Sequence, residues 1–362
     1  MEANSPAAAA ASSSPANARV SRVQFSGKGG EYFRLWIVNA LLTLVTLGLY
    51  SPWAKVRNTQ YLYGHTSVDS HRFAFLATPI QILKGRLIAL AVIVVASFIG
   101  AIHPAIQLVI SLAFIGTLPW LILQGIRFAL RMTSYRNVRF DFTGTYGGML
   151  LRFFVFPMLS VFTLFLAMPW VTREIDNYLH NHVKWGDQAF ELNNRTGEYY
   201  ITALICGAFM VVLYAVIFAA GGAAFFAIAV ADAPSASVIL GAIGVYLVFI
   251  AGMELIRGIW VARIRNHVMN NLTVGHVASF KSDVPAGATA LMMLTNLLML
   301  VFTLGLAFPV TRIRMARLLS QHTEIAVDPV AADAVVNRVE SRDSAFGEEA
   351  ADLLDVGTAV LG

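Results

Sequence analysis

Seven runs of mostly apolar residues limit what this chain can fold into: 35–53, 87–103, 105–124, 149–170, 201–230, 238–255 and 288–310. A helix needs about 20 such residues to cross a bilayer, and most of these runs are close to that length. Composition agrees. Only 13% of the 362 residues are charged and the mean hydropathy is +0.66, whereas a soluble domain carries about a quarter charged residues. The one cysteine, Cys206, lies inside an apolar run, which excludes a disulfide framework or a thiolate metal site within one chain. A formal net charge of +5 in a soluble protein would point to nucleic acid. Here the basic residues flank apolar spans, so they read as contacts to anionic lipid headgroups and as determinants of orientation.

The spans carry an internal repeat. Sliding the sequence by 117 residues lays Phe25-Ser26-Gly27 on Phe142-Thr143-Gly144, Thr46-Leu47 on Thr163-Leu164, Pro52-Trp53 on Pro169-Trp170, Tyr61 on Tyr178 and His65 on His182. A slide of 257 adds Thr303-Leu304-Gly305, Pro309 and His322. With the repeated single span called a and each intervening pair bc, the chain reads a–bc–a–bc–a. Short alternating runs surround each a, among them HRFAFL, VRFDFTG, QAFEL and TEIAV, and they are expected to pair into a small interfacial sheet. The sequence thus predicts an all-α polytopic membrane protein with a threefold internal repeat and short interfacial β-strands. The copies are placed at about 23–76, 140–192 and 280–326 and the helical hairpins at 84–131 and 199–263, within a membrane domain of residues 19–327. Residues 1–18 read as a disordered Ala/Ser/Pro tail, and 328–362 as an acidic tail, solvated or bound to a protein partner.

No Lys or Arg occurs between Arg86 and Arg127 or between Arg195 and Arg257, so both bc turns are expected to face away from the cytoplasm and both termini toward it. Full crossings by the three a segments would split the 26 basic residues almost evenly between the two sides. A segment that enters and returns keeps them together. Gly48 with Pro52, Pro169, and Gly305 with Pro309 supply the break such a return requires. Trp53 and Trp170 are expected as headgroup anchors, and residues 54–66 as an amphipathic helix on the cytoplasmic surface.

With the three copies in view, the chain resembles the YjgN-like family of bacterial inner-membrane proteins. The residues that carry the resemblance are FSGKGGEYFRLWIVNALLTLVTLGLYSPWAKVRNTQYLYGHT (25–66), ILKGRLIAL (82–90) and DSAFGEEAADLLDVG (343–357). It extends over roughly residues 22 to 358 and implies a bacterial inner-membrane location and this architecture, without an activity. The third copy departs from the pattern, with Val310 in place of tryptophan.

Candidate functional residues are few. His65, His182 and His322 recur at a near-constant distance from the Pro/Trp position, which raises a three-histidine metal or pH site. The plainer reading makes each a helix cap. Glu254 and Arg257 form an i,i+3 pair, with a coupled ion or proton site as the alternative. Asn39, Thr43 and Thr46 line one a segment, either gluing helices or lining a solute path. No nucleotide loop, zincin or hydrolase motif is present, and no cofactor or enzymatic activity is expected. The sequence points first to a small-solute or ion transporter or channel-like protein, with a non-transporting scaffold that binds lipid or a partner as the alternative. A homo-oligomer is compatible with both.

Overall fold

The computed structural model describes residues 18–230 and 235–341. The Ala/Ser/Pro tail up to residue 17, part of the DAPSAS turn and the acidic stretch from 342 onward lie outside the described residues.

The fold is neither all-α nor built on a threefold repeat. Its organising element is one antiparallel 11-stranded sheet curled into a nearly closed barrel, in the order β1-β11-β10-β9-β8-β7-β6-β5-β4-β3-β2. The two ends of that order, β1 (Arg19–Arg22) and β2 (Gln24–Phe25), are consecutive pieces of one extended segment. β1 pairs with β11 (Thr323–Val327) and β2 with β3 (Thr66–Val68). Between successive strands hang helical hairpins. α1 (Gly29–Val45) and α2 (Ser51–Gly64) connect β2 to β3. α3 (Pro79–Gly100) and α4 (Pro104–Arg131) connect β4 (His71–Phe75) to β5 (Thr133–Tyr135). α5 (Tyr146–Leu150), a π-helical turn (Leu151–Val155), α6 (Phe156–Phe162) and α7 (Met168–Asn181) connect β6 (Val138–Phe142) to β7 (Val183–Trp185). α8 (Thr196–Val230) and α9 (Ala236–Asn270) connect β8 (Gln188–Leu192) to β9 (Leu272–Val274). α10 (Ala286–Phe302) and α11 (Phe308–Gln321) connect β10 (Ala278–Ser282) to β11. The recurring unit is therefore strand–helix–helix–strand. It occurs five times among the described residues, so the a and bc segments are short and long versions of one hairpin.

Alternation explains the barrel. Phe73, Phe140, Phe190, Phe280 and Ile325 are the central residues of the five-residue strands β4, β6, β8, β10 and β11, and all pack into the apolar interior with Val68, Val138, Tyr135 and Trp185. Phe73 faces Tyr135, Phe140 faces Trp185, and Phe280 faces Ile325 across the ladder. The residues between them, such as Arg72, Arg139, Glu191 and Lys281, turn outward, and Arg22 meets Glu324 at 3.0 Å on that outer face. A charged exterior fits water, so the barrel stands outside the hydrocarbon.

Two-residue turns close the rim opposite the helices. Asp69-Ser70 and Arg136-Asn137 both hold positive φ at two consecutive residues, the conformation that matches the right-handed strand twist. A further helix, α12 (329–341), lies against this rim. The Asp328 carboxylate accepts from the Val330 and Ala331 amides at its start, Ala332 and Val335 are buried in the barrel mouth, and Arg136–Asp333 and Asp187–Arg338 ion pairs tie it down.

The hairpins differ in length. α3, α4, α8 and α9 are each long and apolar enough to cross a membrane. α1 and α10 have 17 residues and α2, α7 and α11 have 14, which is about 25 Å and 21 Å at 1.5 Å per residue, short of a ~30 Å hydrocarbon core. The run 35–53 is thus no straight span, because the chain turns back at 46–50. Residues 54–66 do not lie on a surface either. They form most of the returning arm α2, packed against α1 and α3.

Candidate functional site

The rim where the hairpins leave the barrel gathers most of the singled-out residues, and a tyrosine closes two of the short hairpins there. The Tyr61 hydroxyl accepts from the Lys28 amide at 3.0 Å and donates to the Lys28 carbonyl at 3.2 Å. Tyr178 does the same to Thr145, at 2.7 and 2.9 Å. The third copy has the buried Leu318 in this place. The histidines follow one turn later, each just past the end of its helix. His65 and His182 place Nδ1 on the carbonyls of Tyr61 and Tyr178, at 2.7 and 2.8 Å, and lie against those rings. His322 instead places Nδ1 3.0 Å from the Asp283 carboxylate. Their carbonyls accept from the Ser26, Thr143 and Asp283 amides. The structure gives each histidine its own hairpin and its own partners. Among the described residues no group of three or more His, Cys, Asp or Glu could hold a metal ion.

The breaks sit at the hairpin tips. Leu47 and Gly48, Leu164 and Phe165, and Leu304 and Gly305 all have positive φ. Gly48, at φ 91°, is where glycine removes the strain that Phe165 bears in the second copy. Pro52, Pro169 and Pro309 occupy the first turn of the returning helix, where their missing N–H has no partner to lose. The recurring threonine satisfies the turn. Thr46, Thr163 and Thr303 accept through Oγ1 from the amides of Tyr50, Ala167 and Ala307. The outer surface of the tip is apolar and bare: Leu47 is 94% and Leu304 93% exposed. Trp53 stacks on Tyr50 and Trp170 packs on Phe156, so both tryptophans brace the tips.

Asn39 is buried between α1 and α2, where its amide donates to Asn58 Oδ1 at 3.1 Å. It lines an open groove of about 530 Å³ with Thr43, Ser51 and Asn58, rimmed by Leu44 and Leu47. Asn296 holds the matching place in α10 and accepts from Arg314 at 2.8 Å. On α9 the Arg257 guanidinium donates twice to Glu254, at 2.8 and 3.1 Å.

One cluster went unnoticed in the sequence. Asp176, on α7, accepts from the Tyr199 hydroxyl at 2.7 Å, and that hydroxyl accepts from Asn194 at 2.7 Å. Asn194 is 2% exposed and its Oδ1 has no partner. Burial pushes the Asp176 carboxyl above the usual carboxylate range, and the Tyr199 hydrogen bond and the charge of His180 offset only part of that. No spacing links residues from two hairpins that only the sheet brings together.

Over residues 20–353 the sequence matches a family described as bacterial proteins of unknown function, DUF898. The chain belongs to this family. Among curated relatives it is similar to the inner membrane protein YjgN of Salmonella typhimurium, 31% identical over 145 residues, which cover 40% of this chain and 37% of that one. It is also similar to YjgN of Escherichia coli K12, 32% identical over 136 residues, 37% and 34% of the two chains. The chain spans about a third of the length of the curated relatives it matches. No solved structure matches it. The resemblance carried by residues 25–66 is thereby shown. With four helices apolar enough to cross a bilayer and relatives named for the inner membrane, this DUF898 member is an inner-membrane protein.

Proposed function

We propose that the protein is a multi-pass inner-membrane protein whose barrel and both termini are cytoplasmic, and that it works as a non-catalytic, lipid-binding membrane scaffold. The two long hairpins cross; the three short ones dip their apolar tips into the bilayer from the barrel side and return. The observation that carries this reading is the filled barrel. Six aromatic rings pack its interior, the space left among them is about 80 Å³ and wholly apolar, and α12 covers the far rim, which gives a solute no polar path along the axis. The absence of Lys and Arg around both long-hairpin turns supports the orientation. Single cysteines in a Cys206→Ser background test it. Ala101→Cys, at a long-hairpin turn, should react with an impermeant thiol reagent outside spheroplasts, and Ser70→Cys, at the barrel's far rim, should not. Labelling of Ser70→Cys would overturn the assignment.

A second reading, passage of a small solute or ion, is favoured by the Asn39 groove, which is polar inside and rimmed by leucine. Flux in liposomes that Asn39→Leu abolishes would support it over the scaffold reading.

A further inference from the structure

Two arginines at the membrane end of the barrel, Arg127 and Arg152, make no ion pair among the described residues. Arg127 lies one turn before the end of α4, and its Nη2 donates to the Gly144 carbonyl at 2.7 Å. Arg152 lies in the π-helical turn and stacks its guanidinium 4.4 Å from the centre of the Tyr178 ring. Both therefore flank the same turn, because the Tyr178 hydroxyl is bonded to Thr145, next to Gly144. A Cβ at Gly148 would overlap that hydroxyl, so the ring is packed tightly on the turn, with Arg127 bonded to the turn at Gly144 and Arg152 over the ring. The Nε of each arginine is sealed from solvent without a partner, so a ligand would meet the terminal Nη groups, of which only Arg127 Nη2 is bonded among the described residues. Asp141, whose carboxylate is held below its usual range despite partial burial, is bonded by Arg131 at 2.8 Å and so is already neutralised, with the charge of Arg127 acting on it only from farther off.

Charge-assisted donors left unpaired near a low-dielectric layer seek an anion. Planar guanidinium groups suit phosphate oxygens in particular, and π-helical turns occur frequently at functional sites. Arg152 stands about four helical steps past the first turn of α5 and Arg127 one turn above Arg131, which is the depth of headgroup phosphates if the barrel stands in water. We propose that Arg127 and Arg152 together bind the phosphate of an anionic lipid headgroup in the leaflet nearest the barrel. The site lies between the first long hairpin and the second short one, so lipid bound there bridges two units of the ring. This deepens the lipid-binding reading and rests on it.

The test uses the full chain in neutral detergent, with binding of phosphatidylglycerol, phosphatidylcholine and inorganic phosphate measured separately by native mass spectrometry. Wild-type protein should retain phosphatidylglycerol over phosphatidylcholine. Arg127→Gln and Arg152→Gln should each weaken that retention about tenfold, the loss expected for one charge-assisted contact. Arg152→Lys should recover part of it, and Arg57→Gln, in the first short hairpin, should change nothing. Thermal unfolding of each variant separates lost binding from lost folding. If a Gln variant unfolds early, the matching Lys variant, Arg127→Lys or Arg152→Lys, decides. Wild-type protein with no preference between the lipids would sink the lipid reading itself. A preference that all variants keep would sink only this site. Inorganic phosphate held as well as the anionic lipid, and lost in the same variants, would make the ligand a free anion and overturn the lipid assignment.

Discussion

The short hairpin α10–α11 and the long hairpin α8–α9 leave neighbouring strands of one barrel and pack against each other along α9 and α10, yet they end differently. The long one rises through 35-residue helices. The short one stops after 17 residues, in a tip where Leu304 and Gly305 take positive φ, Thr303 caps the Ala307 amide and leucine faces outward. The comparison teaches that hairpin length is a property of each hairpin alone. The barrel fixes where a hairpin begins and ends, and in the proposed reading length with tip chemistry decides whether it crosses.

The largest effect should come from the base the two classes share. Trp185 is buried in the barrel, packs on Tyr135 and donates its ring N–H to the Tyr135 carbonyl at 3.2 Å. Trp185→Ala should cost about 3–5 kcal/mol, the usual range for truncating a buried aromatic. Thermal unfolding should show both hairpin classes lost together, and survival of the long hairpins alone would mean that they do not depend on the barrel. Next comes an acid at each turn. Leu304→Asp, in hydrocarbon, should cost about 2.5–3.5 kcal/mol if the tip lies near the bilayer centre and lower the membrane-fraction yield severalfold. Ile102→Asp, in the turn of the first long hairpin, should leave the yield unchanged, and equal yields of the two variants would erase the distinction between dipping and crossing.

Smaller still is Thr303→Val, which keeps the shape and leaves the Ala307 amide without its acceptor, at about 1–3 kcal/mol. The same exchange at Thr117, which only bonds back to the Phe114 carbonyl within α4, should be near neutral by the same melting measurement. The smallest effect concerns α12, on the far rim of the barrel. Arg338 holds the exposed Asp187 carboxyl below its usual range. A depressed carboxylate contributes stability above its unfolded pKa of about 3.9 and loses it as pH falls toward the lower folded value. Trp185 fluorescence should therefore report loosening of α12 only in that acid window, by less than about 1 kcal/mol for so exposed a pair, and Asp187→Asn should remove the pH dependence.

Much of the membrane half was legible in the residues. The Gly48, Pro52 and Thr46 pattern and its copies mark turns, and the turns are there. The barrel was not. HRFAFL and VRFDFTG read as strands because they alternate over five residues. Their partners TSV, TSY, VKW and LTV are three residues long, too short for a period to register, so only fragments of the sheet could be seen. Two of their turns, Asp69-Ser70 and Arg136-Asn137, lack the glycine that usually announces such a bend, and only Gly186 and Gly275 marked the other two. The same blindness split one kind of hairpin into a and bc, since hydropathy records length and not where the ends are tied. The Glu254–Arg257 pair was readable because both groups lie on one helix. The Asp176–Tyr199–Asn194 chain and the Arg127–Arg152 pair join different hairpins and needed the sheet.

The seam of the barrel has a consequence for how the protein is made. Arg19 to Arg22 pair with Glu324 to Val327, so a strand made early waits for one made about 300 residues later before it can be covered. Until then its amides and carbonyls are an open edge. The four helices long and apolar enough to cross a bilayer need no such partner, since each is complete in its own hydrogen bonds. Such distant pairing is slow to form, and a nascent chain halted before residue 323 would hold its hairpins in the bilayer around a ring that cannot shut. Until residues 323–327 arrive, the ring therefore shows two open edges, Arg19–Arg22 on one side and Ala278–Ser282 on the other, while Gln24 and Phe25 are already paired with β3.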